Sequence, residues 1–240
     1  MTHIRIITPS VVEGLRSLDD IAGLGGPGLT FSHVALERGP SSIEGEYDHV
    51  IAAPDVVRRA VEAEADGVDA IVIDCMGDPG LQAARERVSI PVVGPGEASM
   101  HLAAMLAHRF AIVTILEAVR PMLGNLARVY GVADKLAAIR VVDMPVLELT
   151  ERRAEVIERL TENAVRCVED NHAGVIVLGC TGFFGCADAI AAALAERGLI
   201  VPVIDPIPAA ACVAEALVKA RLTHSRHSYR SPREKRVVGY

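Results

Sequence analysis

The chain resembles itself, and this constrains its fold more than any other feature. The run Val68-Asp69-Ala70-Ile71-Val72-Ile73-Asp74-Cys75-Met76-Gly77 returns as His172-Ala173-Gly174-Val175-Ile176-Val177-Leu178-Gly179-Cys180-Thr181-Gly182. Ile90-Pro91-Val92-Val93-Gly94-Pro95 is echoed by Val201-Pro202-Val203-Ile204-Asp205-Pro206, and Ile6-Ile7-Thr8 more weakly by Ile112-Val113-Thr114. The three matches keep their order at offsets of about 105 to 111 positions, as two similar half-chains would.

Within each half, short β-branched runs alternate with stretches of helical period. Strands are expected at 4–8, 29–36, 70–74 and 92–93, with helices at 10–22, 54–65 and 79–87. The second half repeats the plan, with strands at 111–115, 139–143, 175–178 and 201–204 and helices at 118–130, 151–170 and 187–197. This alternation predicts an α/β fold of two pseudo-symmetric lobes, each a mostly parallel sheet flanked by helices, with the active site between them. The expected division is a first lobe over 1–98 and a second over 99–205. A helix at about 206–220 returns to complete the first lobe, and a basic tail covers 221–240. Asp78-Pro79 and Asp205-Pro206 each set an acid before a proline at the expected start of a helix.

Composition matters for what it excludes. An apolar content of 51% is ample for a core and argues against disorder. The net charge of −7 argues against a general nucleic-acid binder, which needs a positive face. The tail runs the other way, with six Lys/Arg from Arg221 to Tyr240 against Glu234 alone. That is the pattern of a solvated segment or a subunit contact. Met1-Thr2-His3-Ile4-Arg5-Ile6-Ile7 has no look of an export leader, and no apolar run approaches the roughly 20 residues of a membrane span. A cytoplasmic protein that binds no membrane is expected, its five cysteines reduced. With no Cys-x-x-Cys and eight scattered histidines, no metal is expected. The expected partner is a small-molecule substrate, taken by a homo-oligomer of the chain.

Parallel sheets bind ligands beyond the carboxyl ends of their strands, where Cys75 and Cys180 both fall. A two-fold relation between the lobes would turn these ends toward each other. A thiol beside glycine and a helix start meets backbone N–H groups, which favour the thiolate and are expected to lower its pKa from about 8.5 toward neutrality. Two such thiols on opposite faces of an acidic carbon suit racemisation, one removing a proton and the other delivering one. The N–H groups of Gly77, Asp78, Thr181 and Gly182 are placed to stabilise charge on substrate oxygens. Cys167, Cys186 and Cys212 read as small buried residues.

Two segments carry a family likeness: Cys75-Met76-Gly77-Asp78-Pro79-Gly80-Leu81 with Ala84-Arg85 after it, and Gly179-Cys180-Thr181-Gly182. There the sequence resembles the Asp/Glu/hydantoin racemase superfamily, and more closely its hydantoin and allantoin racemase branch. Gly39-Pro40-Ser41-Ser42-Ile43-Glu44 and Glu97-Ala98 are similar to further segments of that branch. The likeness covers roughly 4–220. It implies two α/β lobes with the active site between them, no metal, pyridoxal phosphate or nucleotide cofactor, and Cys75 and Cys180 as the acid/base pair.

The departures from the family pattern bear on substrate. Thr8-Pro9-Ser10 stands where hydantoin racemases usually carry Asn-Pro-Asn, and Ser10 either contacts substrate or caps the next helix. Met76-Gly77 replaces the Asn-Thr usual in amino-acid racemases, and Thr181-Gly182 the Thr-His usual in glutamate racemases. A neutral hydantoin-type ring, a 5-substituted hydantoin or allantoin, is therefore expected over free glutamate or aspartate. The expected substrate-binding residues are Thr8, Pro9, Ser10, Glu44, Met76, Gly77, Asp78, Thr181, Gly182 and Phe183. Phe183 and Phe184 form either an apolar wall or core, and Glu44 and Glu97 either orient substrate or face solvent. Asp74 and Asp78 are expected to shape the first cysteine loop, and His101 and His108, placed on the helix after Pro95, to be structural. The alternatives are an Asp/Glu-type amino-acid racemase, an enzyme like maleate isomerase or arylmalonate decarboxylase, and a two-lobed small-molecule binding protein.

Overall fold

In the computed structural model, which describes residues 1–236 and 238, each half-chain forms one four-stranded sheet that is parallel throughout. The first half contains β1 (Thr2–Thr8), α1 (Asp19–Ala22), β2 (Leu29–Ala35), α2 (Glu46–Ala65), β3 (Ala70–Ile73), α3 (Leu81–Arg87) and β4 (Val92–Val93). Helix α4 (Pro95–Leu106) leads into β5 (Phe110–Thr114), α5 (Arg120–Val129), β6 (Leu136–Val141), α6 (Arg153–Glu169), β7 (Val175–Leu178), α7 (Ala187–Ala195), β8 (Val203–Ile204) and α8 (Pro206–Lys219). The strand orders are β2-β1-β3-β4 and β6-β5-β7-β8, the same order with each strand replaced by its repeat.

Strands β3, β5 and β7 are buried along their whole length, which is why they read as continuous apolar runs and not as alternation. Ile7, Ile71 and Ile73 pack with Val56 and Ala60 of α2 and Leu81 of α3 on one face of the first sheet. Ile4, Ile6 and Val72 pack with Ile207, Ala210 and Ala214 of α8 on the other. Helix α4 stands between the lobes: it packs on α8, while its Met100 and Ala103 join the core of the second lobe.

Several local expectations are corrected. Residues 10–18 are irregular, and only α1 is helical within 10–22. Ser10 diverts the backbone: its Oγ accepts the Val12 N–H and its carbonyl accepts the Leu36 N–H, while Gly14 takes a left-handed φ of 74°. Helix α2 begins at Glu46, well before Pro54, which is carried inside it. Helix α3 starts only at Leu81, because Asp78 and Gly80 both have positive φ and break the expected start at Pro79. Asp78 therefore caps a different helix, its carboxylate accepting the N–H groups of Gly96 and Glu97 in the first turn of α4 at 2.9 and 2.8 Å. Asp205 does stand at the N-cap of α8. His108 lies just past the end of α4, and Cys212, expected to be buried, is exposed on α8.

The tail lies along β4, the edge strand of the first sheet. His224 Nε2 accepts the Val92 N–H at 2.9 Å, and Arg226 donates to the carbonyls of Arg85 and Val88. A side chain set against unpaired edge groups blocks strand addition there. Of the tail residues, 237, 239 and 240 lie outside the described residues. No helix among the described residues is long and apolar enough to cross a membrane.

Candidate active site

The chain leaves β1 at Thr8, β3 at Ile73 and β7 at Leu178, and the loops beyond these three strand ends meet in one cavity. It holds about 590 Å³ of free space, part of it open to solvent. The first lobe contributes Thr8, Pro9, Ser10, Ser42, Ile43, Asp74 and Cys75. From the second lobe come Val146, Leu149, Thr150, Cys180, Thr181, Gly182 and Phe184, and the irregular segment before α1 adds Leu15 and Arg16.

Each thiol is held in the same way. Cys75 Sγ accepts the Gly77 N–H at 3.4 Å, and Cys180 Sγ accepts the Gly182 N–H at 3.3 Å. The electrostatic outcome corrects the expected lowering of the pKa. Burial pushes the Cys180 thiol up to about 12, and the single N–H only partly opposes it, with Asp74 and Glu44 adding to the rise. Cys75 is raised too, by burial first and then by Cys180, Asp78 and Asp74 against its one N–H. Both shifts favour the thiol over the thiolate, and charge on Cys180 adds to the rise at Cys75.

Beside Cys75, Asp74 Oδ2 accepts from Thr8 Oγ1 at 2.7 Å. Thr8 spends its single proton there, so the 2.9 Å contact from His33 Nε2 makes that nitrogen the donor. Burial raises the Asp74 pKa, with Arg16 and the two threonines opposing it, and Asp74 Oδ1 has no partner among the described residues. Three hydrogen bonds tie the lobes around the cavity. Thr181 Oγ1 donates to the Asp74 carbonyl at 3.1 Å, the Val146 N–H to Glu44 Oε1 at 2.8 Å, and the Tyr130 hydroxyl to Asp78 Oδ2 at 2.6 Å.

The structure thus brings Cys75 and Cys180 together with Thr8, Pro9, Ser10, Thr181 and Gly182. Glu44, Met76, Gly77, Asp78 and Phe183 do not line the cavity. Glu44 is spent bridging to Val146, and Asp78 on α4 and Tyr130. Met76 is 2% exposed within the second lobe's core, and Gly77 serves through its N–H on the Cys75 sulfur. Phe183 is fully buried, and its neighbour Phe184 is the ring that faces the cavity. Glu97 pairs with Arg85. Among the described residues no group of three His, Cys, Asp or Glu side chains is gathered as a metal would need. The residues that sequence reasoning missed are Leu15, Arg16, Ser42, Ile43, Val146, Leu149 and Thr150, which lie in loops and turns outside the strands and α-helices, Val146 opening a single 3-10 turn. Leu15-Arg16-Ser17-Leu18-Asp19-Asp20 reads as part of an ordinary helix, so nothing in its pattern signals a cavity wall.

The family model described as Asp/Glu/hydantoin racemase matches residues 6–214. The chain is 41% identical over 207 residues to a hydantoin racemase of Pseudomonas sp. strain NS671, covering 86% of this chain and 81% of that one. Among solved structures it is similar to an allantoin racemase from Klebsiella pneumoniae, with a TM-score of 0.90 and 36% identity over 100% of this chain and 97% of the other. It is also similar to an allantoin racemase from Pseudomonas fluorescens, with a TM-score of 0.92 and 28% identity over 99% and 100% of the two chains.

Proposed function

The chain belongs to the Asp/Glu/hydantoin racemase family and is a racemase, and from that premise we propose that it racemises hydantoin-type substrates, 5-substituted hydantoins or allantoin, by cofactor-independent proton transfer between Cys75 and Cys180. The observation that carries this reading is the pair of thiols, delivered by repeated strand ends to one cavity, each with a backbone N–H on its sulfur.

The C5–H of a hydantoin lies between a carbonyl and a nitrogen, so its carbanion spreads onto oxygen as an enolate. One cysteine works as thiolate and takes the proton from one face, becoming a thiol. The other, a thiol, gives its proton to the opposite face and becomes the thiolate. Nothing is consumed, and the product is the mirror image of the substrate. The high thiol pKa values suit this role, because a thiolate formed in a buried site is a stronger base toward a weak carbon acid. Asp74, with Oδ1 unpartnered beside Cys75, is the acceptor for a ring N–H, and Thr181 holds the Asp74 backbone from the far lobe.

The test is to incubate the protein with one enantiomer of a 5-substituted hydantoin in heavy water. Optical rotation should decay while deuterium enters C5, and free L-glutamate and L-aspartate should take up little. Faster exchange of glutamate than of any hydantoin would move the assignment to amino-acid racemase.

A further inference from the structure

Proton transfer between the two thiols leaves one charged group in the cavity without a role. Arg16 lines the cavity with its side chain only 3% exposed. Its Nη2 donates to both carboxylate oxygens of Asp20, at 2.6 and 2.7 Å. Its Nε stands 3.7 Å from Asp74 Oδ2, beyond hydrogen-bond range. Nε and Nη1, which carry three N–H donors between them, have no hydrogen-bond partner among the described residues. A buried guanidinium with donors unspent is costly unless something else accepts them. Its guanidinium carbon lies 5.6 Å from the centroid of the Phe184 ring, within cation–π range, and the two bonds to Asp20 anchor its other end.

Two further observations narrow what those donors meet. The guanidinium lies over Phe184, the ring that lines the cavity past the Cys180 loop, so its free donors stand along the wall that a substrate arm would meet. The guanidinium is also already matched in charge, because Asp20, Asp74 and Asp205 all act on it. A carboxylate brought there would face those three acids, whereas a neutral acceptor would not.

We propose that Arg16 reads the substituent at C5, selecting hydantoins whose arm ends in a neutral hydrogen-bond acceptor, a ureido or carboxamide oxygen, over apolar arms of the same size. This rests on the hydantoin reading and adds the residue that sorts substrates within that class. A site whose donors are built to meet an acceptor discriminates strongly against an isostere lacking it, because the donors are then left unpaired.

The experiment compares C5 deuterium exchange for three matched probes: 5-(2-carbamoylethyl)hydantoin, its apolar isostere 5-(3-methylbutyl)hydantoin, and 5-(2-carboxyethyl)hydantoin. In the wild-type enzyme kcat/KM should be roughly tenfold or more higher for the carbamoyl arm than for the apolar one, with the carboxylate arm below the carbamoyl. In Arg16→Met the carbamoyl-to-apolar ratio should fall to near one. A wild-type ratio at or below one overturns the inference, and this measurement needs no variant to fold. A Met variant that slows both probes in proportion also overturns it, since Arg16 would then serve the ring or the fold. Exchange of all three probes without discrimination removes the inference and leaves the hydantoin reading standing. Exchange of none removes both.

Discussion

The Cys75 and Cys180 loops occupy equivalent places in the two sheets, and they differ most at the residue just before each cysteine. In the first lobe that residue is Asp74, whose carboxylate is held by Thr8 at 2.7 Å. In the second it is Gly179, where a Cβ would come within 2.6 Å of Ile112 Cγ2 and 2.7 Å of Thr114 Cβ. The equivalent threonine, Thr114, donates instead to the Gly179 carbonyl at 2.9 Å. The repeat is kept in the sulfurs, each with a backbone N–H on it, and broken in the acid, which stands on one side only. On the proposed mechanism that is the expected division, since two mirror-image substrates need matched thiols but one fixed grip on the ring.

The strongest way to break the comparison is to remove one thiol at a time. Cys75→Ala and Cys180→Ala should each lower racemisation on the order of 10²–10⁴-fold or more. Each variant should retain deuterium exchange at C5 for one enantiomer only, and for opposite enantiomers. Cys167→Ala and Cys212→Ala, which lie outside the cavity, should keep most activity. Racemisation near wild type in Cys75→Ala would end the two-thiol account.

A pH titration tests what the two thiols share. Both pKa values are raised, so thiolate is scarce at neutral pH and grows as pH rises. The acid limb of kcat/KM should lie above the ordinary thiol value of about 8.5, with up to about tenfold gain per pH unit below it. Alkylation of either thiol by iodoacetamide, followed by peptide mapping, should therefore be slow at neutral pH and quicken as pH rises. An acid limb below about pH 7 would contradict the burial argument.

Next in size is the Asp74 and Gly179 pair. Asp74→Asn should reduce kcat/KM by roughly 10- to 100-fold while the protein stays folded, because a hydrogen bond to a charged group is lost. Gly179→Ala should act on stability, costing about 1–3 kcal/mol in denaturant unfolding, since Ile112 and Thr114 must move aside. A Gly179→Ala variant as stable as the wild type would show that the asymmetry is not enforced by packing.

The smallest effects are expected at the brace behind Cys75. Asp78→Ala leaves the Gly96 and Glu97 N–H groups and the Tyr130 hydroxyl without an acceptor, costing about 1–3 kcal/mol by the same measurement. Tyr130→Phe removes one of these bonds and should cost about 0.5–1.5 kcal/mol.

Much of this was legible beforehand. Parallel strands buried on both faces must be apolar along their length, so Ala70–Ile73, Val175–Leu178 and Phe110–Thr114 announce themselves. The cysteines follow from the repeat and from the rule that ligands gather at strand ends. Illegible were the contacts made by irregular backbone. Ser10 and Gly14 hold residues 10–18 out of a helix and so bring Leu15 and Arg16 to the cavity, an outcome that no periodicity encodes. Phe183 and Phe184 are adjacent and chemically alike, and only the turn after Cys180 decides that one is core and the other faces the cavity.

The sequence by itself determined the two-lobed α/β plan, the equivalence of the halves and the two thiols, because each is written in repeated local pattern. Tertiary structure alone decided which carboxylates face the cavity and how the thiols ionise. Asp78 points away to cap α4, Asp74 and Arg16 turn in, and burial raises both thiols against the single N–H groups that would lower them. Those outcomes depend on which groups lie near in space and how little water reaches them, and neither quantity is local along the chain.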